Sequence, residues 1–120
     1  MEHPRRRELF LTAARPTLQH LILRECRIGN AILRELLKKL RDSADCRIKS
    51  LDLYANDLTA EAGTDICQFV EENKTVEFLG LSKNALGSDD VLKGLFNSIG
   101  EVPLTEEEYE QHRAREKARD

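Results

Sequence analysis

The sequence predicts an α/β chain of stacked repeats, and three observations carry that prediction. First, one eleven-residue template occurs three times. In Ile48–Leu58 and Val76–Leu86 the first, fourth, sixth and eleventh places are apolar and the ninth is asparagine. Leu18–Ile28 follows the same pattern with Cys26 in the ninth place, and the three copies start 30 and 28 residues apart. Second, the pairs Leu21/Leu23, Leu51/Leu53 and Leu79/Leu81 repeat with period two, the spacing of a short strand buried on one face. Third, each strand is followed by apolar residues at helical spacing. These are Ile32, Leu33, Leu36, Leu37 and Leu40 in the first unit, Ala62, Ile66 and Val70 in the second, and Val91, Leu92, Leu95, Phe96 and Ile99 in the third. A strand and a helix of this size cannot bury their own apolar faces, so neighbouring units must stack.

Local signals place the helix ends. Asn30 and Thr59 are candidate N-caps of the first two helices, and Ser88 or Asp89 of the third. Asn73, tolerant of the left-handed conformation, is expected to end the second helix, and Gly100 the third. After Pro103 the pattern stops. Thr105 followed three residues later by Glu108 is a capping box, and four acids (Glu106, Glu107, Glu108, Glu110) precede four bases (Arg113, Arg115, Lys117, Arg119), an order that complements a helix dipole. A helix from about Glu106 is expected, with Val102, Leu104 and Tyr109 sealing the last repeat and Arg113–Asp120 pointing into solvent.

The template resembles the leucine-rich repeat, L-x-x-L-x-L-x-x-N/C-x-L, of the long type found in ribonuclease inhibitor. The resemblance covers residues 18–100. It implies a right-handed leucine-rich-repeat solenoid of three repeats (18–47, 48–75 and 76–100), with parallel strands on the concave face and helices on the convex face. Residues 1–17 would form an N-terminal cap or remnant helix ended by Pro16, and residues 101–120 a charged C-terminal capping helix. The resemblance also implies that Cys26, Asn56 and Asn84 bond backbone groups of adjacent coils.

The outward strand positions then make a grid. Its columns are His20, Ser50, Phe78; Ile22, Asp52, Gly80; and Arg24, Tyr54, Ser82, with Glu25, Ala55 and Lys83 just beyond. Tyr54, Phe78 and Ile22 are expected to face water there, and Arg24 to lie within stacking reach of Tyr54. The candidate partner-binding residues are His20, Ile22, Arg24, Ser50, Asp52, Tyr54, Phe78, Ser82 and Lys83. Single exposed apolar residues are also common on proteins that bind nothing. A flanking helix would cover Phe78 or Ile22 equally well.

Composition limits the other possibilities. The chain has 120 residues, enough for one domain, and 40% apolar with only 5% aromatic residues points to an aliphatic core. A net charge of −3 gives no global attraction to nucleic acid or membrane. No apolar run approaches the roughly 18 residues that would span a bilayer. Three cysteines without a secretory pattern suggest free thiols in a reducing compartment. Arg5–Arg7 with Leu9–Leu11 has the look of a mitochondrial presequence, but Glu2 and Glu8 argue against one, and a solvated helix end is the simpler reading. Cys26, Cys46 and Cys67 lack zinc spacing, and Gly80, Gly87, Gly94 and Gly100 do not assemble a phosphate loop. His20 and Cys26 are not expected to converge as a nucleophile pair.

The sequence therefore predicts a non-enzymatic, cofactor-free cytoplasmic scaffold that binds another protein through the concave strand face. The alternative is a structural assembly element, cytoskeletal or axonemal, acting through the charged C-terminal helix; an association with cytoskeleton or cilium would follow from it. A basic nucleic-acid site at Arg5–Arg7 ranks third, with strong salt dependence as its signature.

Overall fold

The computed structural model describes residues 18–42 and 47–119. The expected cap at residues 1–17, with its arginines, and Cys46 lie outside the described residues. Among these residues three strands and four helices follow in the order β1 (His20–Ile22), α1 (Gly29–Asp42), β2 (Ser50–Asp52), α2 (Ala60–Glu72), β3 (Phe78–Gly80), α3 (Asp89–Leu95) and α4 (Glu106–Arg119). The strands pair in parallel in the order β1-β2-β3. The register sets Leu21, Leu51 and Leu79 side by side, and likewise His20, Ser50, Phe78 and Ile22, Asp52, Gly80.

Period-two alternation sends the leucines to one face of this sheet. There they meet Leu33, Leu36, Leu37 and Leu40 of α1, Ile66, Phe69 and Val70 of α2, and Leu92 and Phe96, all buried in one aliphatic core. Leu95 departs from the expected stripe and is 44% exposed, and α3 ends there rather than at the expected Gly100.

Beyond the strands the backbone turns sharply. Glu25, Arg27, Ala55, Asp57 and Lys83 all have positive φ, between 49° and 61°, so the same left-handed turn recurs after each strand. Asparagine side chains fix these turns. Asn56, fully buried, accepts from the Cys26 N–H (3.0 Å) and donates to Leu23 O (2.7 Å). Asn84 accepts from the Asn56 N–H (2.9 Å) and donates to Leu53 O (2.9 Å). Each amide thus satisfies backbone groups of the coil before it, which the buried turn could not leave unpaired. Cys26 turns its thiol to Arg24 O at 3.4 Å, and burial raises the pKa of that thiol.

Of the two expected N-caps, Thr59 takes its place at the start of α2 through its backbone carbonyl and Asn30 does not cap α1. Asn30 lies inside α1 and clasps Thr59, donating to its Oγ1 (2.6 Å) and accepting from its N–H (3.0 Å); Thr59 makes no side-chain cap bond to α2. Asn73 ends α2 with φ −118°, outside the left-handed region, and bonds Phe69 O through both its backbone and side-chain N–H groups.

The expectation of a right-handed leucine-rich-repeat solenoid with an open concave face is overturned. The molecule measures 33 × 32 × 30 Å, with a radius of gyration of 13.5 Å, about that of any compact domain of this length. Three strands of three residues are too few to develop a curved array, and helices cover the sheet on both sides. Leu79 N–H bonds Glu101 O (2.9 Å) and Glu101 N–H bonds Glu77 O (3.0 Å), which adds one more rung beside β3. The chain then reverses through Pro103, and α4 runs back over the outer face of the sheet. Val102 and Leu104 pack against the aliphatic core as expected, but Tyr109 joins Tyr54 and Phe78 in a separate aromatic cluster on the opposite face.

Candidate functional site

The outer sheet face and α4 hold the chemically distinctive groups. The reversal that brings them together is tied at Ser82, a residue 1% exposed whose Oγ lies 3.0 Å from Pro103 O and 3.1 Å from Thr105 O. Thr105 starts α4 with the anticipated capping box: Glu108 N–H donates to Thr105 Oγ1 (3.1 Å) and Thr105 N–H to Glu108 Oε1 (3.2 Å). With that start fixed, Glu106, Tyr109 and His112 fall at i, i+3 and i+6 and face the sheet in turn.

Tyr109 is fully buried. Its ring stacks on Tyr54 with centroids 4.2 Å apart and planes within 6°, and its hydroxyl donates to Asp52 Oδ2 at 2.6 Å. Tyr54 in turn donates to Glu106 Oε1 at 2.8 Å. His112 stacks on Phe78 at 3.9 Å and lies between Glu101 (3.0 Å) and Glu116 (2.9 Å). Arg115 also pairs with Glu101. His112 and Arg115 tie α4 to the rung beside β3, while residues 114–118 are exposed, in line with the expectation that the end of the helix points into solvent.

Asp52 is the electrostatic centre. Its carboxylate is buried between Tyr109 Oη, the Tyr54 N–H (3.2 Å at Oδ1) and the Arg24 guanidinium (3.7 Å at Oδ2). Burial raises its pKa, and this outweighs the lowering by the Tyr109 and Tyr54 hydrogen bonds and by the positive charge of Arg24 and His112. The bond to Glu106, helped by burial and the Glu106 charge, pushes the Tyr54 phenol up to about 12. Burial and Asp52 push the Tyr109 phenol far above its usual range.

Of the nine predicted site residues, Asp52, Tyr54, Phe78 and Ser82 are buried beneath α4, a correction to their expected exposure. Arg24 pairs with Asp52, while Tyr54 stacks on Tyr109. Lys83 is exposed at the helix start, 4.0 Å from Glu106. His20, Ile22 and Ser50 remain on the open margin of the face. Ile22 is 50% exposed, and His20 Nδ1 lies 3.0 Å from Ser50 Oγ. A groove of about 220 Å³ runs between these three and His112 and Glu116 of α4.

Sequence reasoning missed Glu101, Glu106, Tyr109 and His112 as partners of this face. One signal pointed there: a glycine inside a strand marks a close approach, and Gly80 is where the Asp52 carboxylate lies. Among the described residues, no three His, Cys, Asp or Glu side chains converge to hold a metal ion. Among the same residues, no helix is long and apolar enough to cross a membrane. Compared with known proteins, the chain matches no family model and no curated sequence.

Proposed function

We propose that the chain is a non-catalytic protein-binding module, with no cofactor, whose partner docks on the outer sheet face at the margin left open by α4. The observation that carries this reading is Ile22, half-exposed on a hydrogen-bonded strand beside a groove with imidazole, hydroxyl and carboxylate groups at its rim. An apolar side chain held rigid among polar ones suits an interface core, since little conformational freedom is lost when it is covered. Arg24 and Lys83 add positive charge at one end of the face.

The test is quantitative capture from a reducing cell extract. Wild type is compared with His20→Ala/Ile22→Asp and with Arg113→Glu/Lys117→Glu, after circular dichroism has shown both variants folded. Loss of a saturable partner in the first variant alone supports the margin as the site. Loss in the second alone replaces this reading with assembly through α4, and no saturable partner in any of the three overturns both.

A further inference from the structure

The contacts that hold α4 differ in kind from those that hold the rest of the molecule. Helices α1 and α2 each bury a stripe of aliphatic side chains in the core. Among its described side chains, helix α4 buries one fully, Tyr109, and brings His112 alongside it as a second ring. Its remaining attachments are polar: Tyr109 to Asp52, Glu106 to Tyr54 and Lys83, and Glu101 to His112 and Arg115. The sheet sets the backbone beneath it, since Phe78 lies in β3 paired with β2 and the Tyr54 carbonyl accepts from the Glu25 N–H, while the two rings pack against Tyr109.

We propose that the sheet face under α4 is a helix-binding site, and that α4 is its resident occupant, replaceable by a partner helix of the same chemistry. This rests on the protein-binding reading above and extends it from the open margin to the part of the same face that α4 covers. The resident shows what the site reads. A phenol must reach the buried Asp52 carboxylate and lay its ring on Tyr54. A flat ring three residues later must cover Phe78. A carboxylate three residues earlier must meet the Tyr54 hydroxyl and Lys83. The partner is thus an acidic helix of pattern Glu-x-x-Tyr-x-x-(His or aromatic). The phenol hydroxyl makes the site selective, since a helix with Phe at that place leaves the buried carboxylate one donor short. Arg24 and Lys83 favour a partner with net negative charge at that end.

Exchange requires α4 to leave while the core stays folded. Hydrogen exchange on the unaltered chain tests this first: α4 amides should exchange at least about tenfold faster than the central amides of α1 and α2. Equal protection would overturn the proposal. The probe for binding is a labelled synthetic peptide of residues 101–119, titrated into the wild-type chain and into the full chain carrying Tyr109→Ala. The peptide should bind the variant at least about tenfold more tightly than wild type, because the resident no longer competes. The same peptide with Tyr109→Phe should lose most of that affinity. Should Tyr109→Ala fail to fold, Thr105→Ala, which loosens only the start of α4, takes its place and should show the same order of affinities. Indifference of binding to the phenol, or equal affinity for both chains, overturns the site. A concentration-dependent dimer that Tyr109→Ala abolishes would put a second copy's α4 on the face and overturn the separate partner. A partner lost through Ile22→Asp while the peptide fails to bind would leave the protein-binding reading standing and remove only this inference.

Discussion

A Cβ added at Gly80 would fall 2.6 Å from Asp52 Oδ1 and 3.2 Å from Phe78 Cε2. The carboxylate occupies the space that any other residue would fill, so the glycine is what lets Asp52 lie flat beneath Tyr109. Gly80→Ala should therefore displace Asp52, break its bond to Tyr109 and cost about 1–3 kcal/mol in chemical denaturation. The two tyrosines offer a direct readout, since the chain has no tryptophan and no other tyrosine. Tyr54 is raised from the usual phenol value of about 10 to about 12, and Tyr109 is raised as well. A raised folded-state pKa means that the stabilisation is fully present below pH of about 10 and is lost as pH climbs through the folded value. The phenolate ultraviolet absorbance of the native chain should thus stay flat near pH 10 and rise only on more alkaline titration. A normal transition near 10 for either tyrosine would mean that the stacked pair does not persist in solution.

At the scale of elements, α4 is decided by its first turn and a few side chains. Its surface is polar nearly all round, so the helix gains little from burial, and the start at Thr105 matters correspondingly. Thr105→Ala removes the hydroxyl that accepts from Glu108 N–H and leaves the reciprocal bond unsupported. It should cost about 1 kcal/mol and appear first in the tyrosine near-ultraviolet dichroism, while Thr105→Ser should restore the signal. The three βα units behave differently. Their strands are only three residues long, yet each turn is pinned by asparagine amides that reach the coil before it. The ladder of side-chain bonds thus supplies the order that such short strands cannot supply alone.

Over the whole molecule, one aliphatic core lies on one side of the sheet and an aromatic cluster on the other. Leu53 and Leu79 are fully buried in that core, one in each of two adjacent units. Leu53→Ala and Leu79→Ala should each cost about 2–5 kcal/mol in a thermal or urea melt, and an unchanged midpoint for either would contradict the inward placement of these leucines. Because the sheet separates the two clusters, these losses should lower global stability without altering which peptide the outer face prefers.

The sequence by itself determined the strands, their register, the first two helices behind them, the start of the third and the asparagine turns; the third helix ends at Leu95, short of the expected Gly100. All of these follow from short-range periodicity and a repeat spacing of about thirty residues, where each unit solves the same burial problem as its neighbour. It also determined the start of α4, since a capping box acts within four residues. Only the tertiary structure decided where α4 lies. The bond that places it joins Tyr109 to a residue 57 positions earlier, and a helix polar on every side carries no stripe to say which surface it will cover. For the same reason Asp52, Tyr54, Phe78 and Ser82 read as exposed in the sequence and are buried in the fold. Alternation assigns a side chain to one face of a sheet, but whether water or another helix meets that face depends on contacts far along the chain.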